Sequence, residues 1–236
     1  LGKRTRWQLL KNSKSKCRSL MWMWRKLRSM SEWQFNKKVA STFVPHARQH
    51  IPNYDRIIKK TVDICKSLLD YNQPIIDVGC ATGETLNMLS SAGFKNLHGV
   101  DNSASMLEHC LVDATLTCSE WLPKSNYNAI ILNWTLHFIE HKIQYLKDCK
   151  KCLTPDGFMI ISEKVSKDPF LIKHYHNYKR LHGVSEEEIT HKQSSVENVM
   201  HICSSDWYKK QGEELGFSVD IIDADFCFIT QLWRNK

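Results

Sequence analysis

The chain has 236 residues, with 33 Lys or Arg against 25 Asp or Glu, a formal net charge of +8. That length suits one α/β domain with an extension, large enough to bury a core without disulfide staples. No apolar run reaches the roughly 18 residues of a membrane-spanning helix, and the start has no signal-peptide pattern, because its apolar cluster "LMWMW" is short and flanked by cations.

The charge is unevenly spread. Residues 1–38 hold twelve of the basic residues and one acid, Glu32, which leaves 21 basic and 24 acidic residues in the rest of the chain. The pattern divides the protein into a basic N-terminal arm, residues 1–30, and a mildly acidic domain, residues 31–236. Trp7, Trp22 and Trp24 interleave with the cations of the arm, and Leu20, Met23, Trp24, Leu27 and Met30 recur at helical spacing. The arm is expected to meet an anionic partner, with RNA first among the choices. A membrane interface, an apolar groove on a partner, or packing against the domain are the alternatives.

Nine scattered cysteines argue against a disulfide framework and for a reducing, cytoplasmic compartment. Cys149 and Cys152 form a CxxC, but within the helical pattern "YLKDCKKCL". No second pair or His-x-x-x-His follows, so these read as helix and core thiols, and no metal site is expected.

In chain order, residues 33–45 read as a short helix and a turn, and Pro52 opens a long helix, "NYDRIIKKTVDICKSLLD". Strand-like runs then alternate with helices. "PIIDVG" is a buried strand, "GETLNMLSSAG" a helix closed by Gly93, "NLHGVD" a second strand and "SASMLEHC" a helix opened by Ser103. "ATLTCS" and "YNAIILNW" are further strands. "HKIQYLKDCKKCL" is a helix stopped by Pro155 and Gly157, followed by the strand "FMIISEK". A polar, His-rich helical region spans about 167–201, and "DWYKKQGEELGF" is another helix. "SVDIIDA" and "FCFITQLW" suggest an antiparallel hairpin at the sheet edge. Such alternation predicts a doubly wound, mostly parallel Rossmann-like sheet with right-handed crossovers.

In such a sheet, ligands sit at the carboxyl ends of the strands. The turn "DVGCATG" begins at Asp77 and carries Gly79 and Gly83. It lacks the Gly-Lys-Ser/Thr of a phosphate loop, and Ala81 breaks a Gly-x-Gly-x-x-Gly fingerprint. Strand two ends in Asp101, twenty residues after Ala81. An acid there can accept hydrogen bonds from ribose hydroxyls, or can cap the following helix. Turn plus strand-two acid, without a phosphate-binding glycine cluster, is the pattern of S-adenosylmethionine (SAM) methyltransferases.

Residues 28–236 resemble carboxy-S-adenosylmethionine synthase, a family built on the class I methyltransferase fold that converts SAM and prephenate into carboxy-SAM for tRNA wobble-uridine modification. The resemblance rests on "EWQFNKKVASTFVPHARQHIPNYDRII", "DVGCATG", "GVDNSASMLEHC", "LNWTLHFIE", "GFMIISEK", "HYHNYKRLHGVSEEEITHKQSSVENVM" and "GFSVDIIDADFCF". It implies SAM-binding roles for Tyr54, Gly79, Asp101 with Asn102, and Asn133, and it implies a homodimer.

Two positions depart from the family. Its Arg before "ENVM", which pairs with the added carboxylate, is Gln193 here, and a neutral amide is a weaker partner than a forked guanidinium. Its Gly-Asp-Ile turn, whose acid contacts adenine, is replaced by a shorter segment, with Cys118 and Ser119 at the acid's place. Adenine is then expected to meet the Ser119 backbone or side chain, with weaker cofactor affinity as the alternative. His137, Glu163 and His176 lie on cleft-side segments and are the candidates for a catalytic base, each with a structural role as the alternative.

These observations lead to a SAM-binding, methyltransferase-like enzyme related to carboxy-SAM synthase, using SAM and leaving S-adenosylhomocysteine. One alternative is carboxy-SAM synthesis proper, with Arg180 or Lys192 replacing the lost Arg. The other is a catalytically inactive SAM-fold component anchored by its arm.

Overall fold

The computed structural model describes residues 40–197 and 199–236. The basic arm and the helix expected within it lie outside the described residues. So does the start of the 33–45 segment, whose described part enters helix α1, Phe43–His50.

Helix α2, Tyr54–Leu68, follows. Its N-cap is Asn53 in the left-handed conformation, one residue past the Pro52 expected to open it. Ile57, Ile58, Val62 and Cys65 face inward at 3.6-residue spacing.

The sheet then builds outward from its centre. Strand β1, Ile75–Val78, is buried along its whole length, as a central parallel strand must be. It pairs in parallel with β2, Leu97–Asp101, on one side and with β4, Tyr127–Asn133, on the other. Strand β3, Thr115–Cys118, lies outside β2, and β5, Leu153–Lys164, lies beside β4, both parallel. Strands β6, Phe217–Asp225, and β7, Phe228–Asn235, form the expected hairpin, with β7 antiparallel to β5 and β6 at the edge. The order is β3-β2-β1-β4-β5-β7-β6. The order reverses between β1 and β4, the place where a doubly wound sheet opens a crevice.

Alternate residues feed two cores. Ile76, Ile130, Leu132, Met159 and Ile161 pack on one face with Tyr127 and Trp233. Ile75, Ala129, Ile131 and Ile160 pack on the other, against Val62 and Cys65 of α2 and against Leu86 and Leu89 of α3, Glu84–Ser91. The crossover α4, Ala104–Leu107, is capped by Ser103, whose hydroxyl accepts the Met106 N–H.

One strand boundary departs from the sequence reading. Helix α5, Lys142–Lys151, ends before Pro155, yet β5 already starts at Leu153. Leu153 pairs with Tyr127 and Phe158 with Ala129, so a register shift absorbs Thr154–Gly157 inside the strand. Cys149 and Cys152 are buried in the first core, in keeping with their reading as packed thiols.

The polar region resolves into α6, Pro169–Leu181, and α7, Glu186–Glu197, followed by α8, Ser205–Glu214. Asp168 caps α6 by accepting the N–H groups of Phe170 and Leu171. Helix α6 is tied to the end of α1: Tyr175 Oη donates to the His50 carbonyl at 2.7 Å and Tyr178 Oη to that of Arg48 at 3.0 Å. Helices α1 and α6 thus stand over the carboxyl ends of β1, β4 and β5. Among the described residues, no helix is long and apolar enough to cross a membrane.

Candidate active site

A cavity of about 1710 Å³ opens at the β1/β4 switch point. A pocket for one drug-sized ligand occupies roughly 300–1,000 Å³, so this cavity has room for two small molecules. Tyr54, Asp77, Gly79, Asp101, Asn102, Ser119, Asn133, His137, His176 and Gln193 all line it. Gly83 and Glu163, also singled out from the sequence, do not.

The turn after β1 is fastened to β2. The N–H groups of Gly79 and Cys80 both donate to the Val100 carbonyl, at 2.8 and 3.2 Å. These two donors are therefore engaged within the turn, and Gly79 has a further, steric role. Its φ is +70°, and a Cβ there would stand 2.4 Å from Thr135 Oγ1. The missing side chain admits Thr135, whose hydroxyl donates to the Val78 carbonyl at 2.8 Å and so ties the β4 turn to β1. Gly83 has φ +87° and is the N-cap of α3, a backbone role away from the cavity. Ala81 lies between them with φ +47°, an unfavourable angle for a residue with a Cβ.

Asp101 steadies that turn. Its Oδ2 accepts the Ala81 N–H at 3.0 Å and its Oδ1 accepts the Ser103 N–H at 2.8 Å. The cap of α4 is Ser103, and Asp101 only accepts the N–H of that cap residue, so it does not itself cap the helix; each of its oxygens keeps lone-pair capacity for a second donor. Burial raises its pKa, and the backbone donors Ser103, Ala81 and Asn102 oppose the rise. Asp77, 3 % exposed, is pushed up to about 8, chiefly by burial and then by the charge of Asp101, with a hydrogen bond from Thr85 opposing.

At the end of β4, Asn133 is 9 % exposed. Thr230 Oγ1 donates to Ser162 Oγ at 3.1 Å, and Ser162 Oγ donates to Asn133 Oδ1 at 2.7 Å. That relay leaves the Asn133 amide nitrogen buried without a hydrogen-bond partner. The chain then turns through Trp134, with φ +56°, whose ring stacks on Tyr54 at 5.0 Å.

Glu163 holds this turn together. It is fully buried and accepts the N–H groups of Thr135, Leu136 and His137 at 2.9, 2.6 and 3.1 Å, and His137 Nδ1 at 2.5 Å. With both oxygens engaged and no face on the cavity, Glu163 acts as an anchor of the turn rather than as a base. It also fixes the His137 ring.

The far wall is basic. Lys164, Lys167, Lys173, Lys179, Arg180 and Lys192 line it together with His176. Lys164 and Lys179 place their ammonium groups over the same Tyr175 ring, at 5.0 and 4.3 Å. Burial, then Lys164, pulls Lys179 down to about 8, and burial pulls Lys192 down to about 7. His176 is lowered by burial, then by Lys179 and Lys164. Arg180 is held in a fork by Glu186, at 2.7 and 2.9 Å. Asp77, Glu84, Asp101, Glu120 and Glu140 lie on other parts of the lining, so acidic and basic groups share one cavity.

At the shortened segment, the Ser119 N–H donates to the Asp101 carbonyl at 2.9 Å, and its hydroxyl accepts the Trp121 N–H at 2.9 Å. The backbone donor expected to meet a ligand is therefore spent within the loop. Trp121, 61 % exposed and stacked on Tyr145, is an additional aromatic surface there.

The sequence matches the methyltransferase domain family over residues 46–220. It is 32 % identical over 210 residues to carboxy-S-adenosyl-L-methionine synthase of Shewanella piezotolerans, covering 80 % of this chain and 86 % of that one. The chain belongs to the carboxy-S-adenosyl-L-methionine synthase family. The corresponding synthase of Photobacterium profundum is 31 % identical, covering 81 % of this chain and 87 % of its own. Among solved structures, magnesium protoporphyrin IX methyltransferase of Synechocystis, with bound S-adenosylhomocysteine, superposes with a TM-score of 0.60 at 13 % identity, covering 92 % of this chain and 95 % of that one. A SAM-dependent methyltransferase of Aquifex aeolicus superposes at 0.58 and 15 % identity, covering 86 % and 100 %. Both likenesses show the fold. Relative to this carboxy-SAM synthase fold, the sequence reading did not single out Trp134, Thr135, Trp121, Lys164 and Lys179. Trp134 and Thr135 stood inside the quoted "LNWTLHF". The lysines carry no local signature, because only the docking of α6 brings them together.

Proposed function

We propose that this protein is a SAM-dependent transferase whose cavity takes the cationic cofactor on its acidic side and an anionic second substrate on its lysine wall. The observation that carries the reading is the meeting of those two walls in one cavity with room for two ligands. The residues present fit SAM. Asp101 has acceptor capacity for ribose hydroxyls, the unpartnered amide of Asn133 can donate to the amino-acid carboxylate, and Tyr54 and Trp134 form an aromatic wall. Asp77, ionised beside a cation, complements its charge. Asn102, Ser119, Glu120 and Trp121 border the adenine side.

When bound, SAM supplies a carbon activated by a positively charged sulfur. The chain's contribution is chiefly to position two molecules for in-line approach and to hold their charges. Where the acceptor must lose a proton, His176 is the candidate base, since its lowered pKa keeps it neutral near pH 7. His137 is committed to Glu163.

Gln193 modifies the family's chemistry. Of the cations that could replace the missing guanidinium, Arg180 is forked to Glu186, and Lys192 is a point charge rather than a fork. Attraction of an anionic substrate is retained, and retention of a carboxylated product is weakened. The lysine wall also favours a second reading, carboxy-SAM synthesis from SAM and prephenate with Lys192 in the guanidinium's place. Mass spectrometry of the full chain incubated with SAM and prephenate separates the two. Little carboxy-SAM, with an increase in Gln193→Arg, supports the first reading, and robust synthesis by the unmodified protein supports the second.

A further inference from the structure

We propose that His46, His50 and Glu188 form a binding site for one divalent transition-metal ion of the zinc class, at the seam between α1 and α7. The site is independent of the assignment of SAM to the cavity. His46 and His50 are four residues apart on α1, so their side chains rise from the same face of the helix, and their ring centroids are 4.0 Å apart. Glu188, in the first turn of α7, reaches across to both. His50 Nε2 lies 3.2 Å from Glu188 Oε1, and His46 Nδ1 lies 3.7 Å from the same oxygen. Each of the three residues offers one ligand atom, and these atoms all lie within 4.8 Å of one another.

Those separations suit tetrahedral coordination. Zinc bonds of about 2.0–2.2 Å to imidazole and carboxylate place neighbouring ligand atoms roughly 3.3–3.6 Å apart. The two edges to Glu188 fall on either side of that range, and the two imidazole nitrogens lie within 4.8 Å of each other, so side-chain rotation would close the shell. Two imidazoles and one carboxylate suit zinc, cobalt, nickel or copper rather than magnesium or calcium.

The chemistry of the neighbourhood agrees. His50 is 6 % exposed, and the ring nitrogen it turns toward Glu188 is Nε2, at 3.2 Å. Its backbone is fixed by Tyr175, which donates to the His50 carbonyl. Three protein ligands leave a fourth position for water or a ligand, and both histidines line the large cavity. A bound ion would join α1 to α7 and add positive charge near the lysine wall. The sequence carried the signal in "HARQH", a His-x-x-x-His upstream of the CxxC.

The test uses the full chain, stripped with a chelator and titrated with zinc alone by calorimetry, with metal content measured after desalting. One zinc per chain is expected. Glu188→Gln should weaken binding by more than about 100-fold, beyond the 10–100-fold typical of second-shell losses, and His50→Ala should do the same. Glu188 is half-exposed at a helix start, so its Gln variant keeps the fold and decides the matter if His50→Ala does not fold. Cobalt in place of zinc should show tetrahedral visible bands without a thiolate charge-transfer band. No bound zinc, equal affinity in Glu188→Gln, or a thiolate band that places the ion on cysteine would overturn the site.

Discussion

Ser162 donates its hydroxyl hydrogen to Asn133 Oδ1 at 2.7 Å and is itself the acceptor for Thr230 at 3.1 Å, so a relay from β7 through β5 orients the amide at the end of β4. The orientation matters because Asn133 lines the cavity and the relay fixes which way its amide points, leaving the nitrogen without a partner of its own. Ser162→Ala should leave the Asn133 oxygen buried and unpaired, costing about 1–3 kcal/mol of stability. It should also weaken SAM binding by several-fold, because the amide is free to turn over. Urea denaturation and calorimetry on the same preparation read both effects. Unchanged affinity would separate Asn133 from the cofactor.

Glu163→Gln should be the most destabilising single-atom exchange in the cavity's frame. A carboxylate accepting from three backbone N–H groups and His137 would be replaced by an amide whose NH₂ faces donors. Hydrogen bonds to a charged group contribute about 1.5–3 kcal/mol each, so a loss above roughly 2 kcal/mol is expected in denaturant unfolding. A variant as stable as the parent would remove the anchor role.

Gly79→Ala combines a left-handed φ of +70° with a contact of 2.4 Å to Thr135 Oγ1. Strained backbone of this kind costs about 1–3 kcal/mol, before the clash is counted. Adding Thr135→Ala should recover part of the loss by relieving the clash alone. A double variant no more stable than Gly79→Ala would show that the strain resides in the backbone.

Asp77 gives the protein a pH signature. Its pKa of about 8 lies above the unfolded value, so its contribution to stability is complete below the unfolded pKa and is lost as pH rises through about 8. A cationic ligand favours the ionised form. Binding SAM below pH 8 should therefore release a proton, and affinity should increase as pH rises toward 8. Calorimetry in two buffers of different ionisation enthalpy measures that release, and Asp77→Asn should abolish it. An absence of proton exchange in the parent would contradict the assignment.

Much of this was readable in the sequence, and the misses have physical causes. The parallel centre and the edge hairpin follow from alternation of apolar runs with helical periods, because a buried strand such as "IIDV" has little other use. The turn at Gly79 was found as a site, but its partner, Thr135, lies 56 residues away, and only the β1/β4 pairing brings them together. Glu163 was read as a candidate base because it lies on a cleft-side segment, with a structural role as the alternative. Its engagement with three successive backbone N–H groups depends on the turn after β4, which no local pattern encodes. The β5 boundary was misplaced because Pro155 and Gly157 signal a break, and a register shift satisfies that signal inside the strand.

The central claim is that SAM lies against Asp101. Calorimetry of SAM binding to the full chain and to Asp101→Ala tests it most directly. Losing the acceptor of two ribose hydroxyls leaves buried polar groups unpaired, at about 1–3 kcal/mol, or roughly tenfold or more in affinity. The account predicts binding in the parent and at least a tenfold weaker constant in a variant that folds normally. Equal affinity in the two proteins, or no SAM binding by the parent, would contradict it.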